Sequence, residues 1–319
     1  MAKIDPDIFD PITAAIDAVH ERNPDSWRAH LGASLLGHHC DRWLWLSFRW
    51  SARETFSGRM KRLFRRGFAE EASIIADLRA IGCKIAERQA KVNFGSHVSG
   101  SADAIIESGL PGAEKSQHVA EFKTHSKKSF DELARFGVQK AKPQHYAQLQ
   151  VYMHGLGIDR GLYVAVCKDD DRLHCERIHY DATFAARVIA KAQAIALDTR
   201  APAKISNDPT WYQCRYCPGR TICHEAKPTE HVNCRTCAHS TAMPDSTWRC
   251  ERWEGETIPY AVQVKGCESH ALHPDLVPWG MVDGADEWTA AYLIDGAEVK
   301  NGEGGVASGE LVKHGTINQ

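Results

Sequence analysis

The chain has 319 residues, enough for one large domain and a smaller appendage. With 25% charged and 43% hydrophobic residues, its composition is that of an ordinary globular protein, and the net charge of −2 identifies no partner. No apolar run approaches the roughly 20 residues that cross a bilayer, and residues 1–20 lack the apolar core of a signal peptide, so we expect a cytosolic protein.

Helical and strand patterns alternate over the first 200 residues. Apolar residues recur at intervals of three and four in four segments, which predicts helices over 8–22, 60–81, 143–157 and 182–199. Strand patterns fill the intervals, at 84–107 with a Gly-Ser break, at 118–124 (HVAEFKT), and in the hairpin at 161–180. The lysine-rich segment 127–142 is predicted to be a loop or an irregular helix. This order predicts an α/β domain that ends near residue 200.

An early segment combines basic and aromatic side chains. Its members are Arg42, Arg49, Arg53, Arg59, Lys61, Arg62, Arg65 and Arg66, with Trp43, Trp45, Phe48, Trp50 and Phe64. Such a mixture suits a track for single-stranded nucleic acid, in which cations meet phosphates and rings stack on bases. The other interpretation is a pair of amphipathic helices with a solvated basic face and an apolar core face.

Three short motifs carry a candidate catalytic centre. GSAD places Asp103 in a strand, and EFK in the next strand places Glu121 and Lys123 on one face, because alternate strand residues point the same way. The two carboxylates and a backbone carbonyl near Glu121 form an oxygen-rich site for Mg²⁺ or Mn²⁺. Gln148 and Tyr152, four residues apart in the following helix, share a face and can hold the lysine or the DNA backbone.

GSAD, EFK and HYAQLQVYM resemble the three motifs of the RecB-type branch of the PD-(D/E)XK nucleases, over about residues 30 to 225. The resemblance implies a restriction-endonuclease-like core, a mixed sheet flanked by helices, preceded by a helical N-terminal segment. In that branch an upstream helix often supplies a metal-binding histidine in a GxxxH pattern. Here Glu71, four residues after Gly67, takes that place, with Glu70 as the alternative.

The cysteines fall into two groups whose CxxC spacing indicates metal binding rather than disulfides. In a subset of RecB-type nucleases one early cysteine joins three late ones around a [4Fe–4S] cluster. The resemblance therefore implies a cluster held by Cys40, Cys214, Cys217 and Cys223, and the alternative for these thiolates is zinc. The cysteines at 83, 167 and 175 are predicted to be small core residues.

The second group follows directly along the chain. Cys234, Cys237, Cys250 and Cys267 have zinc-ribbon-like order, with His270 as a substitute ligand. We therefore expect a nuclease domain over 1–226, a small zinc-binding module over 227–275 and a glycine-rich β tail over 276–319. No chemistry is apparent in the tail.

The resemblance implies a metal-dependent exonuclease that acts on linear DNA ends, single- or double-stranded, in recombination, repair or phage DNA processing. Phage exonucleases and CRISPR-adaptation nucleases are the similar types, and the missing GxxxH histidine favours the phage type. A single-strand annealing or other recombination protein is the expected partner, and a homo-oligomer is left open. The alternative is a non-catalytic DNA-binding or assembly protein that keeps the nuclease shell. A redox protein ranks last, because no GxGxxG motif accompanies the cysteines.

Overall fold

A computed structural model describes residues 11–22 and 26–317 of the protein. Within these ranges there are nine α-helices and twelve β-strands. The helix predicted over 8–22 begins at Pro11 among the described residues, and positions 8–10 of that prediction lie outside them.

The helices are α1 (Pro11–Glu21), α2 (Asp41–Phe48), α3 (Gly58–Ala80), α4 (Lys127–Ala141), α5 (Pro143–Leu156), α6 (Ala182–Leu197), α7 (Arg220–His224), α8 (Tyr260–Lys265) and α9 (Ser308–Ile317). The strands are β1 (Leu31–Gly32), β2 (Lys84–Gly95), β3 (Val98–Ser108), β4 (His118–His125), β5 (Arg160–Cys167), β6 (Leu173–His179), β7 (Ser240–Ala242), β8 (Trp248–Cys250), β9 (Glu256–Thr257), β10 (Gly280–Met281), β11 (Thr289–Ile294) and β12 (Ala297–Gly302).

Local sequence signals explain where the main helices begin and end. α5 begins with Pro143, whose missing N–H costs nothing in the first turn, and stops at Gly157, which adopts the left-handed conformation at φ 66°. The Ser57 side chain caps α3 by accepting a hydrogen bond from Met60 N–H. The predicted loop or irregular helix over 127–142 is α4, which is interrupted by non-helical backbone at Gly137.

Strands β1 to β6 form one mixed sheet. β3 pairs antiparallel with β2 and with β4, β4 pairs parallel with β5, and β5 pairs antiparallel with β6. β1 and β4 pair with opposite ends of β3, because β1 contacts residues 98–99 whereas β4 contacts only 104–106. A stretch of β3 between them therefore has no ladder partner on that side.

Helices cover both faces of this sheet. On one face α3 packs Ile74, Ile75 and Leu78 into a cluster with Phe122 and Val164. On the other face α5 and α6 form the larger apolar core with β4 and β5. The mixed sheet flanked by helices confirms the predicted α/β class.

Two small sheets follow the main domain. β7, β8 and β9 form an antiparallel sheet in the predicted zinc-binding segment, and β10, β11 and β12 form another in the predicted tail. α9 follows the second sheet, and its Leu311 packs with Leu272 and Tyr292 in an apolar cluster separate from the two on the main sheet. Among the described residues, no helix combines the length and apolar character needed to cross a membrane.

Three of the five early aromatic residues belong to the core, which corrects the nucleic-acid interpretation for those rings. Trp45, Phe48 and Trp50 are at most 2% exposed, so their rings cannot stack on bases. Arg49 is buried with them and lies over the rings of Trp45 and Trp248. The amphipathic interpretation describes the segment, because the exposed arginines are on α3.

The structure corrects the prediction for one of the three cysteines that lie outside the two groups. Cys83 and Cys167 are buried, as expected of small core residues, but Cys175 is exposed. Cys175 lies on β6, the edge strand of the main sheet, where most side chains face solvent.

Candidate active site

Two carboxylates face each other where the pairing of β3 with β4 ends. The ladder pairs Ala104 with Ala120, so its continuation by one residue sets Asp103 across from Glu121 on the same face. Backbone pairing stops there, and the Asp103 Oδ2 atom instead accepts a hydrogen bond from Phe122 N–H at 2.8 Å. The gap in the ladder therefore leaves Asp103 half-buried at a point where the two strands separate, with Glu121 fully buried beside it.

Lys123 lies next to both carboxylates. Its ammonium donates a hydrogen bond to Glu121 Oε1, and the two side chains form an ion pair. Burial alone would lower the pKa of Lys123, but the charges of Glu121 and Asp103 raise it above its usual value. The two carboxylates thus favour the charged form of Lys123.

The buried carboxylates favour the binding of a cation. Burial raises the pKa of Glu121, which is completely inaccessible to solvent, and also that of Asp103. The second carboxylate oxygen of Glu121, Oε2, is buried without a hydrogen-bond partner. An acidic oxygen left unpaired beside another carboxylate fits a divalent metal ligand better than a structural ion pair.

Glu71 on α3 approaches the same centre. Burial, followed by the charge of Asp103, raises the pKa of Glu71, and Lys123 lowers it. Glu70 lies on a cavity beside Glu71, but the electrostatic interactions with Asp103 and Lys123 belong to Glu71. The arrangement therefore favours Glu71 over Glu70 as the additional acidic group.

Gln148 and Tyr152 line the site from α5, which packs on the face of the sheet opposite α3. The Gln148 amide donates a hydrogen bond to the Tyr152 hydroxyl at 3.2 Å, and both side chains are largely buried. Burial and the nearby Glu121 raise the pKa of Tyr152 to about 12, so its hydroxyl stays protonated and available as a donor. The five predicted catalytic residues are thus brought together.

The motifs did not identify a buried tyrosine–histidine cluster on the strand next to Glu121. Tyr163 pairs with Glu121 in the parallel β4–β5 register, and its buried hydroxyl lies 3.0 Å from His125 Nε2 and 2.7 Å from His145 Nδ1. Burial lowers the pKa of His125 to about 4 and that of His145 to about 3, so both rings are neutral. No sequence motif predicts that Tyr163, His125 and His145 meet, because only the packing of β4, β5 and α5 brings them together.

The centre opens into two cavities that share Phe68 and Glu71. The polar cavity, of about 1460 Å³, is lined by Arg28, Lys91, Ser101, Asp103, Gln148 and Tyr152 among others. The apolar cavity, of about 880 Å³, is lined by Leu63, Phe64, Ile74, Phe122, Lys123 and Lys168 among others. Asp103 is therefore reached from the polar cavity and Lys123 from the apolar cavity, whereas Glu121 is buried and lines neither.

The first group of cysteines also converges. Cys40, the N-cap of α2, lines one pocket with Cys214, Cys217 and Cys223, although 174 positions separate Cys40 from Cys214 in the sequence. Burial, together with the nearby Cys223, Cys40 and Cys214, raises the pKa of Cys217 to about 11. The structure thus brings the four predicted cysteines of the first group to one pocket.

The second group shows the same pattern. Burial raises the pKa of Cys234 to about 12, with further contributions from Cys237, Cys267 and Cys250. His270 does not join them, because its Nδ1 lies 2.8 Å from Ser308 Oγ and its Nε2 lies 3.0 Å from the Asn233 carbonyl. Both ring nitrogens of His270 thus have other partners, which disfavours it as a substitute ligand.

Among the described residues, no set of three or more His, Cys, Asp or Glu side chains could hold a metal ion in the arrangement seen. Binding of a metal at any of these sites would therefore require side chains to turn toward the ion. At the carboxylates, the bond from Lys123 to Glu121 is the interaction that such a turn would alter.

Comparison with solved structures gives distant similarities. The crystal structure of SSO0001 aligns at 18% identity and a TM-score of 0.41, covering 66% of this chain and 95% of that one. An alkaline exonuclease, LHK-Exo from Laribacter hongkongensis, aligns at 16% identity and a TM-score of 0.37, covering 57% of this chain and 90% of that one. LHK-Exo in complex with dAMP aligns at 15% identity and a TM-score of 0.38, with the same coverage.

A comparison with curated proteins gives no match. The sequence profile of the PD-(D/E)XK nuclease superfamily, however, matches residues 14–224, about two thirds of the chain. The matched range contains Asp103, Glu121 and Lys123 as well as the three later cysteines of the first group. The chain therefore belongs to the PD-(D/E)XK nuclease superfamily.

Proposed function

We propose that the protein is a Mg²⁺- or Mn²⁺-dependent DNA exonuclease that hydrolyses phosphodiester bonds at DNA ends. The observation that carries this proposal is the facing pair Asp103 and Glu121, with Lys123 beside them and one Glu121 oxygen unpaired. Superfamily membership supports phosphodiester cleavage. The preference for ends rests on the resemblance of the motifs to RecB-type exonucleases.

Each side chain has a defined task in this proposal. Asp103 and Glu121, with Glu71 behind them, would hold the ion, which supplies an activated water and neutralises charge on the phosphate. Lys123 would orient the attacking water and offer its ammonium to the charge that develops on the phosphate oxygens. The Tyr152 hydroxyl and the Gln148 amide lie on the polar cavity, where they can donate hydrogen bonds to the DNA backbone.

We further propose a [4Fe–4S] cluster on Cys40, Cys214, Cys217 and Cys223. Their convergence on one pocket supports a shared metal group, and the resemblance favours iron–sulfur over zinc. Metal–thiolate bonds would tie α2 to the end of the nuclease domain and offset the loop-closure entropy, about 4–5 kcal/mol for so long a loop. The cluster has a structural task, since hydrolysis requires no electron transfer.

For Cys234, Cys237, Cys250 and Cys267 we propose zinc. Their order along the chain, their mutual electrostatic interactions and the small β7–β8–β9 sheet support a ribbon-like zinc site. We propose the boundaries 1–226, 227–275 and 276–319 for the three regions, although the apolar core continues across residue 226.

The experiment compares wild-type protein with Asp103→Ala and Lys123→Ala on end-labelled linear DNA and on closed circles, with Mg²⁺, Mn²⁺ or EDTA. We expect metal-dependent loss of label from linear DNA only, and at least about a 100-fold lower rate in either variant. Iron and zinc content should be unchanged, which separates catalysis from folding. Undiminished digestion by either variant would refute the site, and metal-dependent binding without cleavage would favour the non-catalytic alternative.

A further inference from the structure

An exposed aromatic ring stands at the junction of the two cavities. Phe68 is 68% exposed on α3, although the neighbouring Ile74 and Ile75 are buried in the core. It precedes Glu71 by three residues, so the ring and the acidic group are neighbours on one helix face. Because so exposed a ring contributes little to packing, its position beside the carboxylates calls for another explanation.

The chemistry of the two cavities differs. The polar cavity offers Arg28, Lys91 and hydroxyl groups such as that of Ser101, which suit phosphate and sugar oxygens. The apolar cavity offers the rings of Phe64 and Phe68 with the apolar side chains of Leu63 and Ile74.

The rings of Phe64 and Phe68 form the aromatic wall of the apolar cavity. Phe64 makes an edge contact with Phe56 at 4.8 Å between ring centroids, which holds it in place. Phe68 follows one turn later, at a spacing of four residues. Lys123 and Lys168 line the same cavity together with the acidic Glu70 and Glu71, and Arg66 donates a hydrogen bond to the Lys168 carbonyl at 2.9 Å.

We propose that the apolar cavity binds the base of the terminal nucleotide of an unpaired DNA strand, stacked on Phe68. The proposal rests on the nuclease function and specifies its substrate class. Lys123 lines this cavity and Asp103 lines the other, so a strand crossing the junction places its phosphate at the carboxylates, its terminal base beside Phe68 and its remaining backbone in the polar cavity.

Such binding selects single-stranded or frayed ends. A base within a duplex is paired and stacked on both faces, so it cannot also stack on a protein ring without being released. Base stacking on an aromatic side chain tolerates any sequence, because every base has a π-face. The cavity would therefore distinguish unpaired from paired ends, but it would not distinguish one base from another.

Binding is tested on Asp103→Asn protein, which retains the cavities but should not cleave. The probes are single-stranded oligodeoxynucleotides carrying 2-aminopurine as the last base at the 5′ or the 3′ end, with Mg²⁺. Stacking quenches this base, so we expect quenching at one end. Adding Phe68→Ala should remove the quenching and weaken binding about 10- to 100-fold.

Two variants provide the controls. Phe68→Trp preserves an aromatic face and should retain quenching, whereas Phe136→Ala removes an exposed ring on α4 that lines neither cavity and should change nothing. An oligonucleotide lacking its terminal base should bind the Phe68→Ala protein and its parent equally well. Blunt duplexes should bind more weakly than single strands.

Three outcomes would contradict base binding in this cavity. They are quenching that survives Phe68→Ala, a Phe68→Ala loss of affinity that is equally large for the oligonucleotide without its terminal base, and no saturable binding of single strands. Cleavage by the wild-type protein is measured separately. Cleavage without Phe68-dependent quenching contradicts the pocket alone. Phe68-dependent quenching in a protein that never cleaves contradicts the nuclease function and leaves the base pocket standing.

Discussion

At the scale of single residues, Arg235 shows how a cysteine loop is attached to the nuclease domain. It lies between Cys234 and Cys237, yet its guanidinium is 1% exposed and 3.8 Å from the ring centroid of Trp50. It donates hydrogen bonds to the carbonyls of Phe48 at 3.0 Å and Ala29 at 2.8 Å. Burial lowers its pKa to about 9. The planar fork of arginine fits these acceptors, which lysine could not satisfy together.

We predict that Arg235→Ala lowers the free energy of unfolding by roughly 3 kcal/mol or more, because it leaves buried carbonyls unpaired and a cavity beside Trp50. Chemical denaturation at neutral pH measures the change. Arg249→Ala, which removes a half-exposed arginine of the same module, should cost less than about 0.5 kcal/mol. Similar losses in the two variants would contradict this account of Arg235.

At the scale of elements, α3 and the β3–β4 pair build the site together. The ladder opens at Asp103, and the middle of α3 brings Glu71 and Phe68 to that opening. Gly67 lies at the same level of the helix, where a Cβ atom would meet nothing within 4 Å. The glycine is therefore not required by packing, and it lines the apolar cavity.

We predict that Gly67→Ala stabilises the protein by about 0.5–1 kcal/mol, because alanine restricts the unfolded chain and favours the helix interior. Gly100→Ala should have the opposite sign, since its Cβ would lie 2.6 Å from the Ala33 Cβ and 2.9 Å from the Tyr152 ring. Thermal unfolding compares the two variants with the wild-type protein. Destabilisation by Gly67→Ala would show that α3 contacts something at this point.

At the scale of the whole molecule, the regions on either side of residue 226 share one apolar core. Leu44 and Phe48 of α2 belong to the same cluster as Ala242, Trp248 and Ile258. Side-chain hydrogen bonds also cross the boundary, from the Thr229 hydroxyl to the Ser51 carbonyl and from the Asn233 amide to the Trp50 carbonyl. We therefore expect the segment 227–275 and the nuclease domain to unfold together.

We predict that Cys250→Ser removes about one zinc per chain and lowers the unfolding temperature of the entire chain by about 10 °C or more, in a single transition. Calorimetry and metal analysis measure both effects. Cys175→Ser, which replaces an exposed cysteine outside both groups, should leave them unchanged. Two separate transitions, with the larger one unshifted, would contradict a shared core.

Much of this architecture follows from local patterns. The periodicity of 60–81 and the Pro143 and Gly157 boundaries predict α3 and α5 closely, because helix periodicity and caps are local signals. The strand predictions also place Glu121 and Lys123 on one face. Local patterns could not assign the aromatic rings near Trp50 to a core face or to DNA, since both uses require the same residue types.

Local patterns in the sequence predict α3, α5, α6 and the strands β2 to β6, the types of side chain available for metal and phosphate chemistry, and the spacing that groups the cysteines. Which of these residues meet depends on the packed chain. The cross-strand position of Asp103, the pairing of Tyr163 with Glu121, the burial of Arg235 and the exposure of Phe68 all depend on contacts between distant segments. Periodicity and capping are properties of neighbouring residues, whereas strand register and burial arise only when the chain packs against itself.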